Sequence, residues 1–163
     1  MISKYETTMG RYPRMLVAHT DHCVGCVRCA LMCSFKKFKV LNPAKSRIKV
    51  IRAEPNIDSP VVCVQCGLCI PACPIGAISR NRRTGAVIID EQKCNGCGQC
   101  LSVCPYGAIT LDPDRIKALK CDLCDGDPAC VPACNFKALT FERRDRGIYY
   151  KQLQTATKMN RSI

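Results

Sequence analysis

Sixteen of the 163 residues are cysteine, and they fall into four tight quartets with none left over. The quartets are Cys23, Cys26, Cys29 and Cys33; Cys63, Cys66, Cys69 and Cys73; Cys94, Cys97, Cys100 and Cys104; and Cys121, Cys124, Cys130 and Cys134. The first three read C-x2-C-x2-C-x3-C, and the second and third run on into Pro74 and Pro105. No other feature restricts the fold as much, because each quartet must be gathered around something that binds sulfur.

Disulfides need an oxidising compartment, and cysteines this close together cannot all pair without strain. Zinc sites use two separated C-x2-C knuckles closed as a tetrahedron, and a third cysteine two residues further on departs from that design. The spacing matches the run that holds 4Fe–4S cubanes. Three thiolates separated by two residues each curl round one corner of a cubane, while their loop amides point at its sulfides. The fourth begins a turn or helix facing away and reaches a neighbouring cluster. The proline after it has a fixed φ and no amide to lose, which suits a helix start. Four quartets predict four 4Fe–4S clusters in a short electron wire, with no active site of the chain's own.

Composition agrees with a cofactor-built fold. Trp is absent and there are four Phe and five Tyr, so the apolar core is thin and the clusters replace it as staples. The formal charge of +12 counts cysteine as neutral. A cubane with four thiolates carries about −2, which brings the loaded chain to roughly +4 and weakens a nucleic-acid reading of the basic balance. No apolar run is long enough to span a bilayer. Met1 to Arg14 has neither a secretory apolar stretch nor an adjacent arginine pair, so a cytoplasmic location is expected.

Two repeats organise the chain. The approaches to quartets one and three are alike, each following a strand-like run, Met15 to Ala18 and Ala86 to Ile89. Quartets two and four share a different approach, giving an alternating order that reads as a duplicated two-quartet unit. Gly76-Ala77-Ile78 and Gly107-Ala108-Ile109 read as a helix end followed by a strand. The expected fold is α+β, with tandem dicluster units of the bacterial-ferredoxin kind built from short strands and helices.

The 20 residues between Cys73 and Cys94 suit a helix, a strand, a turn at Thr84-Gly85 and a strand back. That length favours nested pairing, with quartets two and three in one unit and quartets one and four in the other. Cys104 then joins Cys63, Cys66 and Cys69, and Cys73 joins Cys94, Cys97 and Cys100. Cys134 joins Cys23, Cys26 and Cys29, while Cys33 joins Cys121, Cys124 and Cys130. The four-cluster domain is expected over residues 1–141, and residues 142–163 form a basic C-terminal tail or docking arm.

The quartets, the Cys33-Ser34-Phe35 start of a long insert, and Lys120-Cys121-Asp122-Leu123-Cys124 with Gly126, Pro128 and Val131 carry a family resemblance. The chain resembles the four-cluster ferredoxin-like subunits of the dimethyl-sulfoxide-reductase type over residues 14–141. That resemblance implies the nested pairing, and a partner subunit holding a tungsten or molybdenum pterin. Asn42-Pro43 with Ser46-Arg47-Ile48-Lys49-Val50 is similar to the small subunit found with tungsten aldehyde oxidoreductases, which implies aldehyde oxidation upstream and a flavin/NAD subunit or soluble ferredoxin downstream. The rival readings are a free-standing polyferredoxin and an iron–sulfur nucleic-acid-binding or regulatory protein. Sparse aromatics for base stacking disfavour the latter.

The fourth quartet departs from the pattern, with Asp125-Gly126-Asp127-Pro128 inserted and Asn135 in place of proline. Its aspartates, with Asp122, are expected to lower the local potential, whereas Arg28, Lys93 and Lys120 beside ligands raise it where they approach. His19 and His22 read as hydrogen-bonding residues, since every quartet is complete in cysteine. Lys36, Lys37, Lys39, Lys45, Arg47, Lys49 and Arg52 crowd the insert, as a solvated face or as a docking surface for an acidic partner. The tail, with six basic residues against two acidic ones and Tyr149-Tyr150 as anchors, offers a route to self-association.

Overall fold

The computed structural model describes residues 14–55 and 57–143, with isolated helical positions at Gln152 and Thr155. The expectations for the tail beyond Arg143, Tyr149 and Tyr150 included, lie outside the described residues. The tail's first two residues, Glu142 and Arg143, belong to a strand. No helix among the described residues is long and apolar enough to cross a membrane.

Among the described residues, short strands pair into four two-stranded antiparallel ribbons. β1 (Arg14–Ala18) pairs with β8 (Leu139–Arg143), joining the two ends of the described chain with Leu16 opposite Phe141. β2 (Lys49–Ala53) pairs with β3 (Ile57–Val61), β4 (Ile78–Arg80) with β5 (Val87–Ile89), and β6 (Ile109–Leu111) with β7 (Ala118–Lys120). The strands expected at Met15–Ala18 and Ala86–Ile89 are both present, and the chain reverses between β4 and β5 at Gly85, whose φ is +71°.

The longest helix among the described residues is α1, Arg28–Phe38. Its eleven residues include no Gly, Pro or β-branched side chain, so nothing in the run opposes helix. Lys36 and Lys37 in the last turn suit the negative end of the helix dipole. It ends where Lys39 turns left-handed, its N–H donating to Phe35 O at 2.9 Å. Cys29 and Cys33 are four apart, so both thiols lie on the buried face, one turn apart. The buried Ser34 hydroxyl donates to Leu31 O and accepts the Asn42 N–H at 3.1 Å, tying the insert back onto the helix.

A helix start after the fourth cysteine does not occur in quartets two to four. Cys73-Pro74-Ile75-Gly76 is a tight turn, closed by the Gly76 N–H on Cys73 O at 3.1 Å. Cys104 to Gly107 and Cys134 to Lys137 close in the same way, at 3.2 and 3.1 Å. Proline stands second in two of these turns because its φ suits that position. Gly76, Gly107 and Lys137 all have left-handed φ, and each leads into a strand. A short helix, α2 (Gln99–Ser102), precedes only the second of these turns, at Cys104.

Two apolar clusters form the core. One gathers Leu16, Ile48, Val62, Ala86, Leu123 and Leu139 with Cys29, Cys63, Cys121 and Cys130. The other gathers Ala77, Ile78, Val87, Ile109 and Ala118 with Cys69, Cys94 and Cys100, and Cys104 packs against both. Thiols make up much of each cluster, which is the thin core that the composition predicts. Leu16 is 0% exposed. Leu16→Ala is expected to destabilise the protein by about 2–5 kcal/mol, through lost burial and the cavity left behind. Anaerobic thermal unfolding of the loaded protein measures this.

Candidate functional site

All sixteen cysteines are free thiols, and the third of every quartet (Cys29, Cys69, Cys100, Cys130) is buried. The four quartets share two left-handed positions that the sequence only partly discloses. The second residue after the first cysteine is left-handed each time: Gly25, Gln65, Gly96 and Leu123, with φ of +65°, +58°, +76° and +59°. The residue after the second cysteine is also left-handed: Val27, Gly67, Gly98 and Asp125, with φ of +63°, +93°, +81° and +60°. Reversals of this kind turn successive amides toward one focus, a concavity suited to an anion and recurrent at iron–sulfur sites. Four of the eight positions are glycine. Val27, Gln65, Leu123 and Asp125 hold the conformation at a steric cost, met by the structure around them.

Cys23, Cys26 and Cys29 line one pocket together with Cys134 from the other end of the chain. Cys94, Cys97 and Cys100 line a second together with Cys73. Burial raises the Cys130 thiol, and the neighbouring thiols of Cys121, Cys33, Cys124 and Cys29 raise it further. Burial also raises Cys69, with Cys63 and Cys66 among its neighbours. It pushes Cys121 up to about 12, and Cys29 and Cys100 to about 11. Thiolates this desolvated need a bound cation, and loading them releases protons.

An N–H donates to the fourth sulfur of every quartet. Ala77, Ala108 and Ala138 donate to Cys73, Cys104 and Cys134 Sγ at 3.2, 3.4 and 3.2 Å. In the first quartet the insert intervenes, and Arg47 N–H donates to Cys33 Sγ at 3.4 Å. The insert thus returns the chain to the place that the tight turn reaches in the other three.

These observations fit a 4Fe–4S cluster. The donor set is all thiol, each loop reverses at two left-handed positions, and two pockets are lined by four cysteines each. Gly98 has nothing within 4 Å of where a Cβ would stand, beside the second cavity. At Gly96 a Cβ would lie 1.9 Å from Ile116 O at a left-handed φ. Gly96→Ala therefore displaces the loop and costs more than Gly98→Ala, where the left-handed backbone alone costs about 1–2 kcal/mol. Iron retention in the two variants, measured side by side, checks the order.

The charged residues behave differently from expectation. Asp122 accepts from Lys37 Nζ at 2.6 Å and from Arg47 at 2.7 Å, so two cations offset its effect on the fourth quartet. Asp125 pairs with Arg83, and Asp127 with Lys36 at 3.9 Å. The basic insert is largely engaged within the molecule: Arg47 also pairs with Glu91, Lys45 with Asp114 and Arg52 with Asp58. Lys45, Arg47 and Arg115 all approach the ring face of Phe38, at 5.7, 5.9 and 5.0 Å from its centroid. Of the three cations named beside ligands, Arg28 and Lys93 are exposed and Lys120 is buried. His19 Nε2 lies 2.8 Å from Thr140 Oγ1, and the Thr140 hydroxyl donates onward to Glu142. Burial lowers the His19 pKa, against the pull of Glu142, which agrees with a hydrogen-bonding role. The signal missed in the sequence was the left-handed non-glycine residues, which carry no compositional mark.

The chain matches models of the 4Fe-4S dicluster domain over residues 62–108 and again over 86–135. It is 39% identical over 117 residues to the polyferredoxin-like subunit of aliphatic sulfonate oxidoreductase from Pyrococcus furiosus, covering 71% of this chain and 68% of that one. It is 36% identical over 140 residues to the putative electron transport protein YsaA of Escherichia coli, covering 77% of this chain and 87% of that one. The beta subunit of NADH-dependent phenylglyoxylate dehydrogenase from Aromatoleum evansii is 36% identical over 136 residues, 80% of this chain but 30% of that longer subunit. Sixteen cysteines in this arrangement hold four 4Fe–4S clusters, and the chain belongs to the polyferredoxin-like family of 4Fe–4S dicluster electron-transfer proteins.

Proposed function

We propose that this chain relays electrons between a catalytic subunit holding a tungsten or molybdenum pterin and a flavin/NAD subunit or soluble ferredoxin. When bound, a 4Fe–4S cluster supplies a one-electron carrier. The ligand sets are Cys23, Cys26, Cys29 with Cys134; Cys121, Cys124, Cys130 with Cys33; Cys63, Cys66, Cys69 with Cys104; and Cys94, Cys97, Cys100 with Cys73. Quartets two and three make one unit, and quartets one and four the other.

One observation carries this reading: thiols of different sets neighbour one another in series. Cys29, Cys63, Cys121 and Cys130 pack in one cluster, Cys69, Cys94 and Cys100 in the other, and Cys104 packs against both. This packing supports a row of four sets, with the Cys23 set at one end and the Cys94 set at the other. A structural or nucleic-acid-binding role does not require such a row. The N–H donors on the fourth sulfurs favour the reduced state.

The upstream reaction is the oxidation of an aldehyde, a reading that rests on Asn42-Pro43 and the segment from Ser46 to Val50. The relatives named as subunits of oxidoreductases support a catalytic partner in general. An anaerobic pull-down with metal analysis tests the proposal. The expected result is about sixteen iron per chain, co-eluting with a subunit that carries tungsten or molybdenum. Iron at that level without an oxidoreductase subunit makes the chain a free polyferredoxin and overturns the proposed partnership. Zinc in place of iron overturns the relay itself.

A further inference from the structure

The two units of the row meet at one buried side chain. Lys120, the last residue of β7, is 4% exposed. Its ammonium donates to Gln65 Oε1 at 3.0 Å, to Val87 O at 2.6 Å and to Cys121 O at 2.7 Å. Three neutral oxygens thus take its three protons. Gln65, itself 6% exposed, completes the clamp: its Nε2 donates to Cys121 O at 3.0 Å and its Oε1 accepts the Val87 N–H at 2.8 Å. Arg80 holds the Gln65 and Cys66 carbonyls from the other side, at 3.0 and 3.1 Å.

Among the described residues no carboxylate forms an ion pair with Lys120. A buried charge that meets only neutral dipoles is costly unless an opposite charge lies close by. The Lys120 acceptor Gln65 stands between Cys63 and Cys66, and another of its acceptors is the Cys121 carbonyl. Cys63 and Cys66 belong to the second quartet and Cys121 to the fourth, so a single cation sits between two metal sites. The thiolates of those two quartets are the opposite charges near enough to serve.

We infer that Lys120 is the shared countercharge of the two central sites, the Cys63/Cys66/Cys69/Cys104 set and the Cys33/Cys121/Cys124/Cys130 set, and that it raises the reduction potential of both. The physical reason is that reduction adds a negative charge to a site, and a fixed, poorly screened cation favours that state. The two terminal sets lie beyond the clamp and receive little of this effect. Lys120 is a positioning and tuning residue and touches neither substrate nor solvent. The inference rests on the proposed grouping of the thiols.

Its test is a potentiometric titration of the fully loaded protein, followed by paramagnetic resonance and accompanied by iron analysis. In Lys120→Gln, which keeps a donor but loses the charge, two of the four midpoint potentials are expected to fall and two to stay. Four unmoved potentials, or four that move together, overturn the inference. Should Lys120→Gln lose iron, Gln65→Glu sets a carboxylate against the ammonium in nearly the same volume. The same two potentials are then expected to fall, and their constancy overturns the inference. Failure of the grouping is separable, because it appears in the iron content of cysteine variants whose Lys120 is intact.

Discussion

Cys73→Ala is expected to cost the protein the cluster of the Cys94, Cys97 and Cys100 set, although Cys73 belongs by sequence to the quartet before it. Cys73 lines the same cavity as those three thiols, and the Ala77 N–H steadies its sulfur at 3.2 Å. Iron should fall from about sixteen to about twelve per chain. Combining variants identifies which cluster is lost. If Cys73 and Cys97 serve one site, the double variant Cys73→Ala, Cys97→Ala loses no more iron than either single variant. If Cys73 and Cys66 serve different sites, Cys73→Ala with Cys66→Ala loses about twice as much. The opposite pattern returns Cys73 to its own quartet and breaks the nested assignment.

The second large effect is expected at Arg47. This residue joins the insert to both halves of the chain, donating to Asp122 at 2.7 Å and to Glu91 at 2.9 Å. Its side chain is 14% exposed, and its N–H donates to Cys33 Sγ. Arg47→Ala keeps that N–H but removes the guanidinium from two carboxylates. Breaking a buried pair by deleting one partner costs about 3–5 kcal/mol, here moderated because Lys37 remains on Asp122. The loss is measured as a lower midpoint in anaerobic denaturant unfolding.

The same pair sets an acid dependence. Burial acts to raise the Asp122 pKa, but Arg47 and Lys37 outweigh it and hold the carboxyl below its ordinary value. A group with a depressed folded pKa contributes stability that is complete above the unfolded value, about 3.9, and is lost as pH falls through the folded one. Arg47→Ala should therefore flatten the acid limb of the stability profile while lowering its plateau. An unchanged acid limb would show that Lys37 alone holds Asp122.

Much of the chemistry was legible in the chain because it is local. Two-residue spacing between thiols follows from covalent geometry, and it identifies the cluster type wherever the loop is placed. The strands at Met15–Ala18 and Ala86–Ile89 follow from short apolar runs. After Cys73 and Cys104 the sequence allows a turn or a helix start, because proline suits both and spacing alone does not tell them apart. The left-handed conformation of Val27, Gln65, Leu123 and Asp125 was illegible for a related reason. These residues do not prefer it, and tertiary contacts impose it.

The sequence by itself determined the ligand inventory, the number and kind of clusters, and the repeat that places them. Only the tertiary structure decided which thiols line the same cavity and which charges face them. Cys134 reaches Cys23, Cys26 and Cys29 because β1 pairs with β8 across the whole described chain. Asp122 is offset by Lys37 and Arg47, and Lys120 is buried against Gln65, through contacts 55 to 85 residues apart in sequence. Spacing along a chain determines what a loop can bind. Packing between distant loops determines the field in which it binds.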